Sequence, residues 1–327
     1  MRNVVYALLP VCAFAIYQFG ISALALIIVT TLSCMLTESF FNRTSGKPDT
    51  IGDFSAMITG MLMALTLPPG FPLWMAVVAA FVGVSLGKVF FGGLGFNVMN
   101  PALIGRAFVQ AAFPVAITTW TPGGLPNRFV EFIPSTLTLP FMEPAPVADW
   151  IKQTAVDGFS GATPLALWKF EQTYTDPMAL FWGMTSGSAG ETSALLILLC
   201  GIYLALRRMM DWRIPVSMLG MATFTGGFFF LMDPTTYPDP LFILFSGGLM
   251  LGAMFMASDM VASPVTPLGV WLYGALMGFV TVIIRLFGGL PEGVMYAILL
   301  GNAVSPLIDA ITQPRVYGTG KEDLTHE

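Results

Sequence analysis

Long apolar runs that carry almost no charge constrain this chain more than any other feature. Of its 327 residues, 55% are hydrophobic and only 10% are charged, whereas a soluble globular domain carries about 25% charged residues. Apolar runs of this length would leave a soluble protein without a water-facing side. They are also too long and alternate too little to be barrel strands, so the sequence predicts an all-α integral membrane protein.

The apolar runs are long enough for about ten membrane-spanning helices, since one span needs roughly 20 residues. The predicted spans are 3–19, 21–41, 53–68, 72–91, 99–117, 192–209, 214–232, 240–257, 268–286 and 292–312. Gly20 alone separates the first two. The chain then divides into a first bundle of about five helices (1–117), a long loop (118–191), a second bundle of about five helices (192–314) and a tail (315–327).

The distribution of Lys and Arg predicts the orientation, because cytoplasmic loops keep positive charge. With the N-terminus inside, nine basic residues fall on the cytoplasmic side and four on the other, and Arg106 lies within a span. The nine are Arg2, Arg43, Lys47, Lys88, Arg207, Arg208, Arg213, Arg315 and Lys321, and the four are Arg128, Lys152, Lys169 and Arg285. Both termini are therefore predicted to be cytoplasmic and residues 118–191 to be extracytoplasmic. That loop is acidic, and its many aromatic residues favour an ordered segment.

The metal-binding residue types are too few for an inorganic redox centre within this chain. The cysteines, Cys12, Cys34 and Cys200, lie far apart in predicted spans, and the only histidine is His326. A haem needs axial ligands and an iron–sulfur cluster needs four thiolates. We therefore expect no metal site, and any redox cofactor has to be organic or shared with a partner.

Charged residues in or near the spans are functional candidates by default, because burying charge in a membrane is costly. They are Glu38, Lys88, Arg106, Asp259, Arg285 and Asp309. Snorkelling of the side chain to the interface is the expected explanation for Lys88 and Arg285. Arg106 lies deeper in its helix and is a candidate contact for an anionic or polar ligand group.

A weak internal repeat aligns Gly83–Phe91 with Gly248–Met256. The implied unit is four spans in the same orientation. The segments after the aligned glycines, "GGLGFNVMNPA" and "ASDMVASPVTPLG", are rich in Gly, Pro and small polar residues, which is typical of helix interruptions that line a site. Repeat-built membrane proteins tend to bind ligands at the repeat interface.

The loop motif "DGFSGATP" (Asp157–Pro164) allows three interpretations from its residues alone. Thr163 is a good N-cap for a helix that begins at Pro164. The small residues could form a backbone nest for phosphate, although one glycine makes a weak signal. The hydroxyl of Thr163 could also be covalently modified, since Ser160, Gly161 and Ala162 are small enough to admit a modifying enzyme.

Four motifs in this order resemble one family across nearly the whole chain. They are Phe91–Phe108, Asp157–Thr163, Phe255–Gly269 and Leu290–Asp309. They resemble the D subunit of the Rnf ion-translocating ferredoxin:NAD oxidoreductase and its paralogue, the B subunit of the sodium-pumping NADH:quinone oxidoreductase. The short loops and the ending "QPRVYG" favour the Rnf subunit.

The resemblance implies two flavins. A flavin transferase would attach FMN through a phosphoester to Thr163, which makes the chain a phosphoprotein, and the recognition motif would include Asp157, Ser160, Gly161 and Ala162. A second, non-covalent riboflavin or FMN would lie near Asn97 and Asn100 in the membrane domain, with Arg106 as a further candidate. From the residues alone, both asparagines could instead cap the helix that opens at Pro101.

The resemblance further implies an electron-transfer subunit, in the bacterial inner membrane, that is not catalytically complete alone. Its expected partners are the flavin-bearing G subunit, the A/E membrane pair, the C subunit, the flavin transferase and the lipid bilayer, with no nucleic acid. A secondary transporter, a channel-like protein without a redox cofactor or a structural scaffold are the alternatives. A flavin spectrum would distinguish them.

Overall fold

The computed structural model describes residues 1–48, 50–125, 127–140, 142, 147, 150, 162–183, 185–191 and 193–314. Within this described part the chain is helical and contains no strand, which confirms the predicted all-α class. The helices are α1 Arg2–Phe19, α2 Ile21–Thr44, α3 Ser55–Thr66, α4 Leu73–Val84, α5 Pro101–Ala112, α6 Pro114–Thr118, α7 Pro164–Ala166, α8 Pro177–Trp182, α9 Ala194–Leu206, α10 Arg213–Met232, α11 Pro240–Phe245, α12 Leu249–Leu251, α13 Pro267–Phe287 and α14 Val294–Thr312.

Five described helices are long and apolar enough to cross a membrane: α1, α2, α10, α13 and α14. Each of the ten predicted segments contains a helix, but the remaining five helical segments are shorter or interrupted. Helix α5 is followed by a separate short helix at Pro114, and the segment predicted as 240–257 is divided between α11 and α12. The multi-pass membrane architecture is therefore confirmed, with fewer full-length spans than the apolar runs suggest.

Gly20 is the boundary between α1 and α2, as the sequence predicts. Its φ of 71° lies in the left-handed region that favours glycine. A Cβ at this position would clash with the carbonyl oxygen of Arg128, and that same oxygen accepts a hydrogen bond from the backbone N–H of Ile21 at 2.9 Å. Glycine is therefore required both for the turn and for the close approach of the loop after α6.

The two halves repeat the same order of elements. In the first half, α4 continues into a π turn at Ser85–Val89, and a loop then leads to α5. In the second half, α12 continues into a π turn at Gly252–Met256, and a loop then leads to α13. Both α5 and α13 begin with a proline that follows a capping side chain, Asn100 or Thr266. This agrees with the predicted repeat, and because π turns are rare and frequent at functional sites, it directs attention to the two loops.

Candidate functional site

The loops that follow the two π turns meet at one cavity of about 180 Å³ that is open on one side. Its walls are mostly apolar, with Leu62, Met254 and Phe255 among them. Polar groups come from both halves of the repeat, including Asn97 and Asn100 from the first and Ser258 and Asp259 from the second. An apolar pocket with a few convergent polar groups is the usual form of a site for an organic ligand or cofactor.

Asn97 and Asp259 join the two halves directly at this cavity. The Asn97 Nδ2 donates a hydrogen bond to Asp259 Oδ2 at 3.1 Å. Burial raises the pKa of Asp259, while the backbone N–H of Val261 and the amide of Asn97 oppose the increase. Asn97 is buried and does not cap α5, so the capping interpretation is wrong for this residue.

The side chain of Asn100 makes hydrogen bonds to both halves of the protein. Its Oδ1 accepts a hydrogen bond from the Ala102 N–H at 3.0 Å and so caps α5, as expected for Asn before Pro at the first helical position. Its Nδ2 donates to the carbonyl oxygen of Met256 at 3.3 Å, in the π turn of the other half. Asn100 therefore fixes the start of α5 relative to the opposite wall of the cavity.

A buried ion pair lies beside the same cavity and corrects the expectation for Lys88. Instead of snorkelling, Lys88 is buried and its Nζ lies 2.7 Å from Glu38 Oε1 and 2.8 Å from Glu38 Oε2. Ser55 Oγ also accepts a hydrogen bond from this amine, and Lys88 and Ser55 both line the cavity. Arg285 does not snorkel either: it is buried, and its guanidinium donates to the carbonyl oxygens of Ile243 and Ser246.

Thr163 is buried and is the N-cap of α7, as the capping interpretation predicts. Its Oγ1 accepts a hydrogen bond from the Ala166 N–H at 3.2 Å. The preceding residue is fixed by Ser186, whose Oγ donates to the Ala162 carbonyl oxygen at 2.8 Å. Asp157, Ser160 and Gly161, which the sequence assigns to the same motif, lie outside the described residues, as does the tail 315–327.

The cavity and Thr163 lie toward opposite ends of α13. This helix begins a few residues after Asp259, which lines the cavity. Beyond its other end, Lys169, which follows α7, donates hydrogen bonds to the carbonyl oxygens of Arg285, at 2.8 Å, and of Gly288. With 21 residues, α13 is about 30 Å long at the usual rise per residue. The candidate residues therefore form two sites, each near one end of a membrane-spanning helix.

Arg106 belongs to neither of these two sites. It is buried and forms an ion pair with Glu292, which lies just before α14. Glu191 lines the same small enclosed space as this pair. Arg106 does not line the cavity that contains Asn97 and Asn100, so contact with a ligand bound there receives no support from its position.

Several residues that line these sites carry little signal in the sequence. Ser55 has none, because a serine in an apolar run is ordinary in a membrane helix. Glu191 is one of several acids in the long loop, and Glu292 stands out only as part of a longer motif. The one available signal is that each carboxylate borders an apolar run, where charge is costly.

The donor set around the cavity fits an isoalloxazine ring. That ring is flat and largely apolar, with hydrogen-bond donors and acceptors on one edge and no fixed charge there. The amides of Asn97 and Asn100 provide both donors and acceptors, and leucine, methionine and phenylalanine side chains form the apolar walls.

Comparison with known proteins gives a consistent result. Residues 1–318 match the family model described as the NQR2, RnfD, RnfE family. The chain is 38% identical to the D subunit of the proton-translocating ferredoxin:NAD(+) oxidoreductase complex of Clostridium ljungdahlii, over 98% of this chain and 91% of that protein. It is 40% identical to the D subunit of the Na(+)-translocating ferredoxin:NAD(+) oxidoreductase complex of Acetobacterium woodii, with the same two coverages.

A third relative is the D subunit of the ion-translocating oxidoreductase complex of Halorhodospira halophila. It is 35% identical over 97% of this chain and 90% of that protein. The similarity thus extends through both membrane bundles and the long loop between them.

Proposed function

The chain belongs to the NQR2, RnfD, RnfE family, and from that premise we propose that it is the flavin-carrying electron-transfer subunit of an ion-translocating ferredoxin:NAD oxidoreductase complex. Its relatives are named as subunits of such complexes. It is accordingly a membrane subunit of a multisubunit oxidoreductase and does not complete a catalytic cycle alone. The names include both proton-translocating and Na(+)-translocating complexes, so family membership does not choose between the two ions.

The observation that carries the proposal is the cavity between the two halves of the repeat. Asn97 and Asn100 present amide groups from one side of it, and Asp259 faces Asn97 from the other. In the proposed function this cavity holds a non-covalent riboflavin or FMN. A flavin supplies one- and two-electron chemistry, while the protein holds it in position and tunes its potential.

Thr163 is the proposed attachment point of a covalent FMN. The cap of α7 uses only an acceptor lone pair of Thr163 Oγ1, which accepts from the Ala166 N–H. Replacing the hydroxyl proton by a phosphoryl group therefore leaves the oxygen able to accept a hydrogen bond. The cap and the covalent attachment are chemically compatible, and Thr163 would act as a tether that takes no further part in electron transfer.

The proposed setting is the bacterial inner membrane. Both termini would be cytoplasmic and residues 118–191 periplasmic, so that the Thr163 end of α13 faces outward. The proposed partners are the flavin-bearing G subunit, the A/E membrane pair and the C subunit, together with the flavin transferase. Lys88 and Arg285 are buried and so no longer count among the basic residues of the two membrane sides. Each side loses one residue, and the excess of Lys and Arg on the proposed cytoplasmic side remains.

Flavin fluorescence on a denaturing gel tests the covalent attachment. The chain is expressed together with the matching flavin transferase, beside the variants Thr163→Ala and Thr163→Asn. Alanine removes both the hydroxyl and the cap, whereas asparagine is a good N-cap without an alcohol. We expect a fluorescent band for the unsubstituted chain and dark bands for both variants.

The asparagine variant shows whether a dark band reflects lost chemistry or lost folding. If Thr163→Asn elutes as a folded protein and is dark, the hydroxyl itself is required. A dark band from the unsubstituted chain, with the transferase active on another substrate, would refute attachment at Thr163. Flavin released by denaturation from Thr163→Ala would then test the second, non-covalent site separately.

A further inference from the structure

Four charged side chains from different parts of the chain meet in the interior, toward the Thr163 end of α13 and away from the cavity that contains Asn97 and Asn100. They are Arg106 of α5, Glu191 before α9, Arg285 of α13 and Glu292 before α14. Arg106 and Glu292 form an ion pair, and Arg285 bonds to carbonyl oxygens. Glu191 forms no ion pair among the described residues. Such buried charge is costly, so a cluster of this kind is a candidate for ion or proton transfer.

Several polar atoms of this cluster are buried and have no hydrogen-bond partner in the part of the chain that the structure describes. They are Glu191 Oε1, Glu292 Oε1 and the Nε atoms of Arg106 and Arg285. Glu191, Glu292 and Arg106 line one enclosed space, which has room for about one water molecule. Two acceptor oxygens and one donor around a space of that size are the partners that a buried water requires.

The backbone holds Glu191 in this position from two sides. The N–H groups of Ala189 and Gly190 donate to the carbonyl oxygens of Leu67 and Leu65 at the end of α3, at 3.1 and 2.7 Å. On the opposite side, a Cβ on Gly248 would lie 2.7 Å from Glu191 Oε1. The carboxyl group thus occupies a space that exists because the second half of the repeat is interrupted by glycine there.

We propose that Glu191 is a proton-binding site that exchanges its proton with the solution by way of Glu292 and one intervening water molecule. The carboxylate of Glu191 takes up one proton to become a neutral carboxylic acid, and Arg106 stays paired with Glu292. Glu191 is half-buried with a fully buried Oε1 atom, and the side chain of Glu292 keeps 14% exposure, so Glu292 is the route between that oxygen and the surface at the Thr163 end of α13.

The electrostatics support a carboxyl group that titrates near neutrality. Burial, followed by the charge of Glu292, raises the pKa of Glu191 from 4.5 to about 7, and the charge of Arg106 opposes this. Arg285 is the other charged group that faces it, and Tyr296 of α14 lies near Arg106. A proton fits this space better than a metal cation, because Arg106 borders it, the positive charge of Arg285 also acts on Glu191, and most other lining residues are apolar.

The role of this proton site rests on the proposed electron-transfer function. An electron that arrives at a flavin adds negative charge to a medium of low dielectric constant. Uptake of one proton by Glu191 would cancel that charge, with the electron supplied by the partner subunits and the proton by the solution. The proton site itself needs no flavin, which allows the two ideas to be tested separately.

Infrared spectroscopy of the full-length protein tests the site directly. The carbonyl stretch of a protonated carboxyl group is followed through a pH titration from about pH 5 to 8. We expect a band that shifts in D₂O, loses half its intensity near pH 7 and is missing in Glu191→Gln. The exposed carboxylate of Glu171, in the same loop, provides the matched control Glu171→Gln, which should keep the band.

A second variant keeps the test decisive if Glu191→Gln does not fold. In Glu292→Gln the neighbouring negative charge is gone and Arg106 is free to face Glu191, so the midpoint should fall by about one pH unit or more. A band missing from the unsubstituted protein, a band that persists in Glu191→Gln, or an unmoved midpoint in Glu292→Gln would each overturn the proposal. So would a band that disappears on adding Na⁺ at constant pH.

The same titration on Thr163→Ala separates this inference from the proposed function. The band should be unchanged there, whether or not the chain carries covalent flavin. Loss of the band only in the flavin-free protein would show that the signal belongs to the flavin and would contradict the assignment to Glu191.

Discussion

Asn97 and Asp259 are far apart in the sequence, yet the amide of the first donates a hydrogen bond to the carboxylate of the second at 3.1 Å. Each residue follows one of the two π turns, so the bond closes the junction between the halves of the repeat. Both side chains also line the cavity. The junction of the repeat and the proposed site of the non-covalent flavin are therefore the same place.

Replacing Asn97 by Ala should weaken retention of the non-covalent flavin. The substitution removes an amide from the cavity wall and leaves Asp259 with only the Val261 N–H as a donor, which raises the pKa of that buried carboxyl group further. A lost hydrogen bond of this kind corresponds to roughly a tenfold loss of affinity, or about 1.4 kcal/mol. Flavin released by denaturation per mole of protein measures it. Asn127→Ala, in an exposed loop, is the control, and equal retention in both variants would contradict the role of Asn97.

Asn100 should contribute to stability in two separable ways. Asn100→Asp keeps an oxygen that caps α5 but loses the donor to the Met256 carbonyl, whereas Asn100→Ala loses both. The alanine variant should cost a further 0.5–2 kcal/mol or so relative to aspartate, which is the usual range for loss of an N-cap. Thermal unfolding in detergent gives the order of the three proteins. Alanine that is as stable as aspartate would show that the cap contributes nothing.

Breaking the buried pair of Lys88 and Glu38 should lower the unfolding free energy strongly, whereas replacing both residues by neutral ones should lower it little. Lys88→Met alone leaves Glu38 buried without a cation, which typically costs about 3–5 kcal/mol of unfolding free energy. The double variant Lys88→Met with Glu38→Gln should recover most of that loss, because neither buried charge remains. Denaturant unfolding of the single and double variants measures the coupling. The exposed Lys47→Met should change stability by no more than about 0.5 kcal/mol, and a harmless Lys88→Met would contradict the pairing.

Glu191 should make the stability of the protein depend on pH in a defined direction. Its pKa is raised from 4.5 in the unfolded chain to about 7 in the folded protein. The folded state therefore binds the proton more tightly, and the contribution of this group to stability is complete below about pH 4.5 and is lost as pH rises through about 7.

The matched measurement for this dependence is the unfolding temperature of the unsubstituted chain and of Glu191→Gln across that pH range. Glutamine carries no titratable proton, so the unsubstituted chain should lose stability relative to the variant as pH rises. A constant difference between the two proteins would mean that Glu191 keeps its ordinary pKa. The opposite slope would mean that Arg106 holds it ionised.

The sequence predicts where the helices and loops of this protein lie better than it predicts which distant side chains contact one another. Gly20 marks a helix boundary because a φ above zero is a local property of glycine. The two loops after the aligned glycines are also expected at an interface, and they meet there. The expectation that Lys88 snorkels is wrong, because a sequence shows that a charge lies in an apolar run but not which distant side chain faces it.

The same limit explains why the interior cluster is hard to foresee. Glu191 lies among several acids of one loop, and its place at the edge of an apolar run is the one local feature that distinguishes it from Glu171, which is exposed. Its position depends on backbone hydrogen bonds to α3 and on a glycine in the opposite half. Contacts of this kind join segments that are distant in sequence, and a single sequence does not show which segments those are.

A π turn contains one more residue than a regular helical turn would need, so everything after it is displaced around the helix axis. Removing one residue from Ser85–Val89 or from Gly252–Met256 would rotate the following loop by about 100°, the angle of one residue in an α-helix. Each π turn therefore sets the direction in which the following loop leaves its helix, and together the two turns orient the loops toward each other. A single-residue deletion in either half would therefore turn one wall of the cavity away from the other.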